Sequence, residues 1–76
     1  MDHIVIMNLE DEDSGELFPS EAYVVKNTID LDAVTDKLEA QKLDIEDACL
    51  VLSVPNADDL KAVTYLGEVF PITVIE

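Results

Sequence analysis

Arginine is absent from this 76-residue chain, and its only basic side chains are Lys26, Lys37, Lys42, Lys61 and a lone histidine, His3. Phosphate backbones and anionic lipid surfaces are recognised mainly through Lys and Arg. That shortage excludes direct nucleic-acid binding and attachment to an anionic membrane as function classes. Cys49 is the single cysteine, so no intramolecular disulfide can form and nothing requires an oxidising compartment. Tryptophan is missing, and two glycines leave no glycine-rich phosphate loop. No apolar run approaches the ~18 residues of a membrane span. Met1-Asp2-His3 opens into an apolar stretch without the basic segment of a signal peptide, so the expected location is cytoplasmic and the chain reads as complete.

What the chain has is acid. Eighteen Asp and Glu against four Lys give a formal net charge of −14, in a sequence that is nonetheless 49% hydrophobic. The apolar residues come in dense runs, so the chain folds, as one small domain with a modest core and little room for a deep cleft. The charge must then lie on a folded surface, where its natural partners are basic protein surfaces or cations. Halophilic adaptation is the bland explanation, but it would deplete Lys and bulky aliphatics while retaining Arg, and this chain does the reverse.

Asp30 to Leu43 is the most informative stretch. At about 100° per residue, Leu31, Val34 and Leu38 share one stripe, while Asp32, Asp36 and Glu39 lie together on a flank roughly 130° away. Asp30 is placed as N-cap, Ile29 and Val34 as a hydrophobic staple, and Asp32 and Lys42 suit the two ends of the dipole. Before this helix, His3 to Leu9 reads as an interior strand and Ala22 to Lys26 as a second, joined in a hairpin by an acidic loop with Pro19 at its mouth. After it, the connector Asp44-Ile45-Glu46-Asp47 leads into Ala48 to Val54, expected to be a buried strand stopped by Pro55. Asn56 and Asp59 are placed to start a second helix over residues 57–66, stopped by Gly67. Val69 to Ile75 is the last strand, with Pro71 implying an edge or a late start. The expected fold is α/β (α+β): a two-layer sandwich of a mixed four-stranded sheet with two helices, order β-β-α-β-α-β, with a right-handed crossover between parallel strands at the C-terminal end. Two helices cover only one face, yet alternate strand residues are apolar on both. A sheet curled on itself or a homodimer would cover the second face; left bare, it would be a binding surface.

Chemistry is hard to find. Glu10, Glu12, Ser14, Gly15, Leu17 and Glu21 can be laid over a calcium loop, but Glu replaces the expected first Asp, Pro19 interrupts, and strands flank it, so a solvated hairpin loop is the simpler reading. Cys49 lies mid-strand in an apolar run and reads as a buried structural thiol, His3 as a surface residue. With eighteen acids, close carboxylate pairs arise by chance and indicate no general acid or base. No catalytic residue, metal site or cofactor is indicated, and the expectation is a protein that is not an enzyme.

The acids are, however, arranged. Asp32, Asp36 and Glu39 recur at about one helical turn, ~5 to 6 Å, comparable to successive phosphates on a nucleic-acid strand. Asp44, Glu46 and Asp47 in the connector, and Asp11, Glu12 and Asp13 in the hairpin loop, extend the candidate surface, as do Asp58 and Asp59. A net charge of about 2 to 8 suffices for solubility in a small domain, and 14 exceeds it. In size and composition the chain resembles the small acidic DNA-mimic inhibitors of phages and mobile elements, which include antirestriction and anti-CRISPR proteins, uracil-DNA glycosylase inhibitors and inhibitors of histone-like proteins. The resemblance carries no motif and no residue.

The function expected is therefore a non-enzymatic inhibitor that mimics DNA and occupies the basic groove of a nucleic-acid-binding protein, such as a host defence nuclease, CRISPR effector or histone-like protein, acting in the host cytoplasm if phage-encoded. The alternative is an assembly module, antitoxin-like or dimerising, that binds through an apolar sheet face or strand edge. A calcium-binding module is a third.

Overall fold

β1 (Asp2–Glu10) becomes the centre of the sheet because Ile4, Val5, Ile6 and Met7 are apolar in succession and need cover on both sides; all four are buried. The computed structural model describes all 76 residues. β2 (Leu17–Val25) and β3 (Ala48–Val54) both lie antiparallel to β1, one on each side. β4 (Ala62–Tyr65) and β5 (Glu68–Ile75) complete a five-stranded sheet in the order β3-β1-β2-β5-β4. One helix, α1 (Leu31–Ala40), and a 3₁₀ turn at Ile45–Asp47 complete the fold.

The mixed α+β class, the opening hairpin and the helix agree with the sequence reading; four strands, two helices and the order β-β-α-β-α-β do not. The expected second helix over residues 57–66 is absent. Its start signal is real but local: the Asn56 side chain accepts from the Asp58 amide at 2.7 Å, and Leu60 N–H closes one turn on Ala57 at 3.1 Å. Beyond that turn, Ala62-Val63-Thr64-Tyr65 is rich in β-branched and aromatic residues and pairs with β5 instead. Leu66 and Gly67, with φ of 51° and 79°, form the tight turn between them. The expected connection between parallel strands holds in direction only, and a strand, β4, stands where its helix was expected. β3 and β5 run the same way, but β1 and β2 stand between them.

Nor is β3 a fully buried strand. It occupies one edge of the sheet, and Leu52 is 49% exposed. Pro71 lies inside β5, at the residue where the strand exchanges partners: Glu68 to Pro71 pair antiparallel with β4, and Ile72 to Ile75 pair parallel with β2. Its missing N–H falls where no β2 pairing is formed.

The exchange at Pro71 answers the question of the second face. On one face, Val34 and Leu38 of α1 pack with Val5, Met7, Val25 and Ile75. On the other, the sheet curls so that Phe70, with Val63 and Tyr65, packs against Ile6 and Ala22, while Ala57 covers Ile4 and Val24. The Pro55–Lys61 segment is pinned in this position by Asp2. The Asp2 carboxylate accepts from the Asn27 amide at 3.1 Å and the Ala57 amide at 2.9 Å, and Lys26 Nζ lies 3.2 Å away.

The helix is held by its ends and its apolar stripe. The Asp30 side chain caps it by accepting from the Ala33 amide at 2.9 Å. At the other end Lys42 (φ 61°) turns the chain, Lys42 N–H returns to Glu39 O and Leu43 N–H to Leu38 O, each at 2.9 Å. Leu43 packs on the same cluster as Leu38, completing a Schellman stop with lysine where glycine is usual. The expected staple does not form, since Ile29 is 85% exposed, and Leu31 is also largely exposed. Ten residues would barely be helical in isolation. Burial of Val34 and Leu38, at about 1.5–3 kcal/mol each, is what keeps the element in place.

Two predictions concern these joints. The two amides and Lys26 together hold the Asp2 carboxyl at about 2, below its ordinary 3.8. A depressed carboxylate contributes stability that is complete above the unfolded value and disappears as pH falls through the folded one. Asp2→Asn should lower Tm at neutral pH and flatten the loss of stability between pH 4 and 2, measured by thermal melts across that range. In the β4–β5 turn, Leu66→Asn should raise stability by up to about 1 kcal/mol, and Gly67→Ala should lower it by about 1 kcal/mol, because only the backbone conformation changes in favourability there. Urea titration of each variant measures both effects.

Candidate partner-binding surface

The carboxylates singled out in the sequence all emerge on the outside. Asp32, Asp36 and Glu39 on α1, Asp44, Glu46 and Asp47 around the 3₁₀ turn, and Asp11, Glu12 and Asp13 in the hairpin loop are exposed. None is in an ion pair. Both ion pairs of the chain belong to Lys26, which bridges Asp2 and Asp58. Asp58 is therefore engaged by lysine, a correction to its place in the acidic array, whereas Asp59 beside it is exposed.

Each of the three groups has a local reason for its shape. The helical row is positioned by the buried Val34 and Leu38 and by the Asp30 cap. In the connector, Asp44 Oδ1 accepts from the Glu46 amide at 2.9 Å, and Asp47 N–H returns to Asp44 O at 3.0 Å, which fixes the 3₁₀ turn. In the hairpin loop, Asp11 Oδ1 accepts from the Asp13 amide at 2.9 Å, and Gly15 at φ 72° brings its N–H to Asp11 O at 2.7 Å. Asp44 and Asp11 thus carry both charge and a backbone-ordering role, while Glu12, Asp13, Glu46 and the helical three are not so used.

Tertiary structure brings the connector beside the hairpin. Asp44 and Asp47 line a depression of about 230 Å³ with Asn8, Leu9 and Ser20, and the strands that form its wall lead directly to the Asp11–Asp13 loop. Glu21 stands in the same depression and accepts a hydrogen bond from the Tyr23 hydroxyl. Lys42 is also on its rim, so this part of the surface is not purely negative. No three acidic, His or Cys side chains converge on a point that would hold a metal ion, the calcium-like register of the hairpin loop included.

Two side chains sit differently from their sequence reading. His3 is not a surface residue: it is buried, with Nδ1 2.6 Å from Thr28 Oγ1. Its cover comes from Thr28, 25 residues away, so no local pattern in the sequence marks it as buried. Cys49 is half-buried and its Sγ lies 3.4 Å from Ile6 O, at a bulge where β1 passes from pairing with Leu50 to pairing with Ala48.

Comparison of the chain with family models, with curated proteins and with solved structures finds no match.

The Tyr23–Glu21 contact yields a spectroscopic test of the depression. The Glu21 carboxylate accepting from the hydroxyl, with partial burial and the nearby negative charge adding to it, pushes the Tyr23 phenol up to about 12. Glu21→Gln should bring it back toward 10, read as an earlier rise in tyrosinate absorbance in an alkaline titration.

Proposed function

We propose that this chain is a non-enzymatic inhibitor that presents carboxylates in imitation of a nucleic-acid backbone and binds the basic groove of a nucleic-acid-binding protein. The observation that carries the reading is the helical row: Asp32, Asp36 and Glu39 are exposed, free of lysine, and mounted on an element fixed by buried Val34 and Leu38. A fixed row of charge about one turn apart can match a groove that binds phosphates, and release of counterions from both surfaces favours the complex. Asp44 and Asp47 of the connector line the depression whose strand walls lead to the Asp11–Asp13 loop, and these acids are offered as further contacts beyond the helical row. A defence nuclease, a CRISPR effector or a histone-like protein has a groove of the required sign.

A second reading is an assembly module whose acidity only keeps it soluble. The observation in its favour is that β3 ends the sheet with a half-exposed leucine and no charge along the strand. Salt distinguishes the two readings, because an electrostatic complex weakens with ionic strength and an apolar one does not.

The test uses the full chain immobilised and exposed to bacterial lysate. A basic nucleic-acid-binding protein should be retained at low salt and released by either high salt or added duplex DNA. The combined variant Asp32→Asn, Asp36→Asn, Glu39→Gln should retain much less of it. That variant should also stay within about 0.5 kcal/mol of the parent in stability, since relief of like-charge neighbours offsets the loss of Asp32 from the first helical turn. Retention indifferent to DNA, or equal for the variant, would rule the imitation out.

A further inference from the structure

We infer that the outer edge of β3 is a pairing site for a second copy of this chain, which joins two five-stranded sheets antiparallel about a two-fold axis at Leu52. An unpaired strand edge exposes backbone N–H and C=O groups, and monomeric proteins protect such edges with short strands, charges, prolines or bulges. The other free edges here are short or protected in these ways: Ile72 to Ile75 of β5, which β4 does not reach, is only four residues between Pro71 and Glu76. β4 is four residues long with Lys61 just before it. The part of β2 that β5 does not reach, Leu17 to Glu21, holds Pro19, a bulge and Glu21.

β3 is protected only at its ends, by the bulge at Cys49 and by Pro55. Between them Leu50-Val51-Leu52-Ser53-Val54 has no charge, no proline and no glycine, in a chain whose net charge is −14. At about 3.4 Å per residue, this open run is about 17 Å long.

Its order is self-complementary. With Leu52 on the axis, Leu52 faces Leu52 of the second copy, Leu50 faces Val54 and Val51 faces Ser53. The bulge at Cys49 then meets Pro55, which closes the pairing at both ends. No carboxylate lies within the paired run, and Asp47, the first beyond it, falls opposite an alanine. Within one copy Leu52 pairs with Ile4, Ile4 with Val24 and Val24 with Val74, so the two-fold axis extends an apolar cross-strand row through both molecules. The half-exposed Leu52 is then covered by its own counterpart.

A second copy is the occupant that the order of the run selects, because the same five residues complete it row by row. Repulsion between two chains at −14 opposes the pairing, and an uncharged stretch with free backbone groups is where they can approach with the least of it. Screening that repulsion should strengthen the dimer as salt rises, whereas the mimic complex should weaken, so the two ideas fail independently.

Sedimentation equilibrium of the full chain over a range of protein concentrations, at low and high sodium chloride, is the first arm. A reversible dimer whose population grows with salt is expected. Leu52→Glu, which places two carboxylates opposite each other at an exposed position, should abolish it while the circular dichroism spectrum is retained. The second arm fixes the register. In a Cys49→Ser background, Leu52→Cys should form a disulfide-linked dimer on mild oxidation, because the two thiols face each other, and Ser53→Cys should not, because its counterpart is displaced along the strand. A parent that stays monomeric at every salt and concentration, a dimer indifferent to Leu52→Glu, or equal cross-linking at 52 and 53 overturns the inference.

Discussion

The Asp2 carboxylate is where three separated stretches of backbone meet. One oxygen takes the amide that follows β2, at Asn27; the other takes the amide of Ala57 in the segment leaving β3. Lys26 neutralises the group and reaches on to Asp58, which keeps that segment against the sheet. Ala57 can then lie over Ile4 and Val24, and the chain arrives at β4 positioned to pair with β5 and curl over the second face. A buried carboxylate would be destabilising without such partners. Here the ionised group is what the surrounding amides require, and one buried acid orders a covering layer over the face that two helices packed on one side would have left bare.

The same division of labour runs through the charged residues. A domain of this size has a thin core, with 15 of 76 residues buried, so it cannot afford many uncompensated charges inside. Asp2 is the one acid taken in. Of the four lysines, Lys26 serves that acid, and Lys37 donates to the carbonyls of Lys26 and Glu76 at 2.5 and 3.0 Å, tying the helix to the ends of β2 and β5. Those lysines are committed to the scaffold and leave the helical carboxylates without counter-charge. The surplus of negative charge follows from how few cations there are, and the lack of counter-charge beside the helical row from where two of them are used.

The charged surface and the free edge of β3 make opposite physical demands. Carboxylate rows attract cations and are weakened by salt, while a neutral strand edge gains from anything that suppresses repulsion between like-charged molecules. The outer edge of β3 and the row on α1 belong to different elements, so occupation of one need not remove the other. If both operate, two copies joined through β3 would carry two sets of acidic rows on one continuous sheet.

Local chemistry alone determined the helix over Leu31–Ala40, its Asp30 cap, the central strand, the hairpin and the exposure of the nine candidate carboxylates. These are set by periodicity and by side chains that act on backbone within four residues. The region after Pro55 was illegible for the same reason: Asn56 and Gly67 do act locally, as a turn former and a left-handed turn residue, and helix and hairpin share those signals at their ends. Only tertiary structure could choose between them, because the deciding contributions come from far away: β5 pairing with Val63 and Tyr65, Phe70 meeting Ile6 and Ala22, and Asp2 holding Ala57 from 55 residues upstream. The burial of His3, the edge position of β3 and the loss of Asp58 to Lys26 were likewise decided by neighbours remote in sequence, which composition and spacing do not encode.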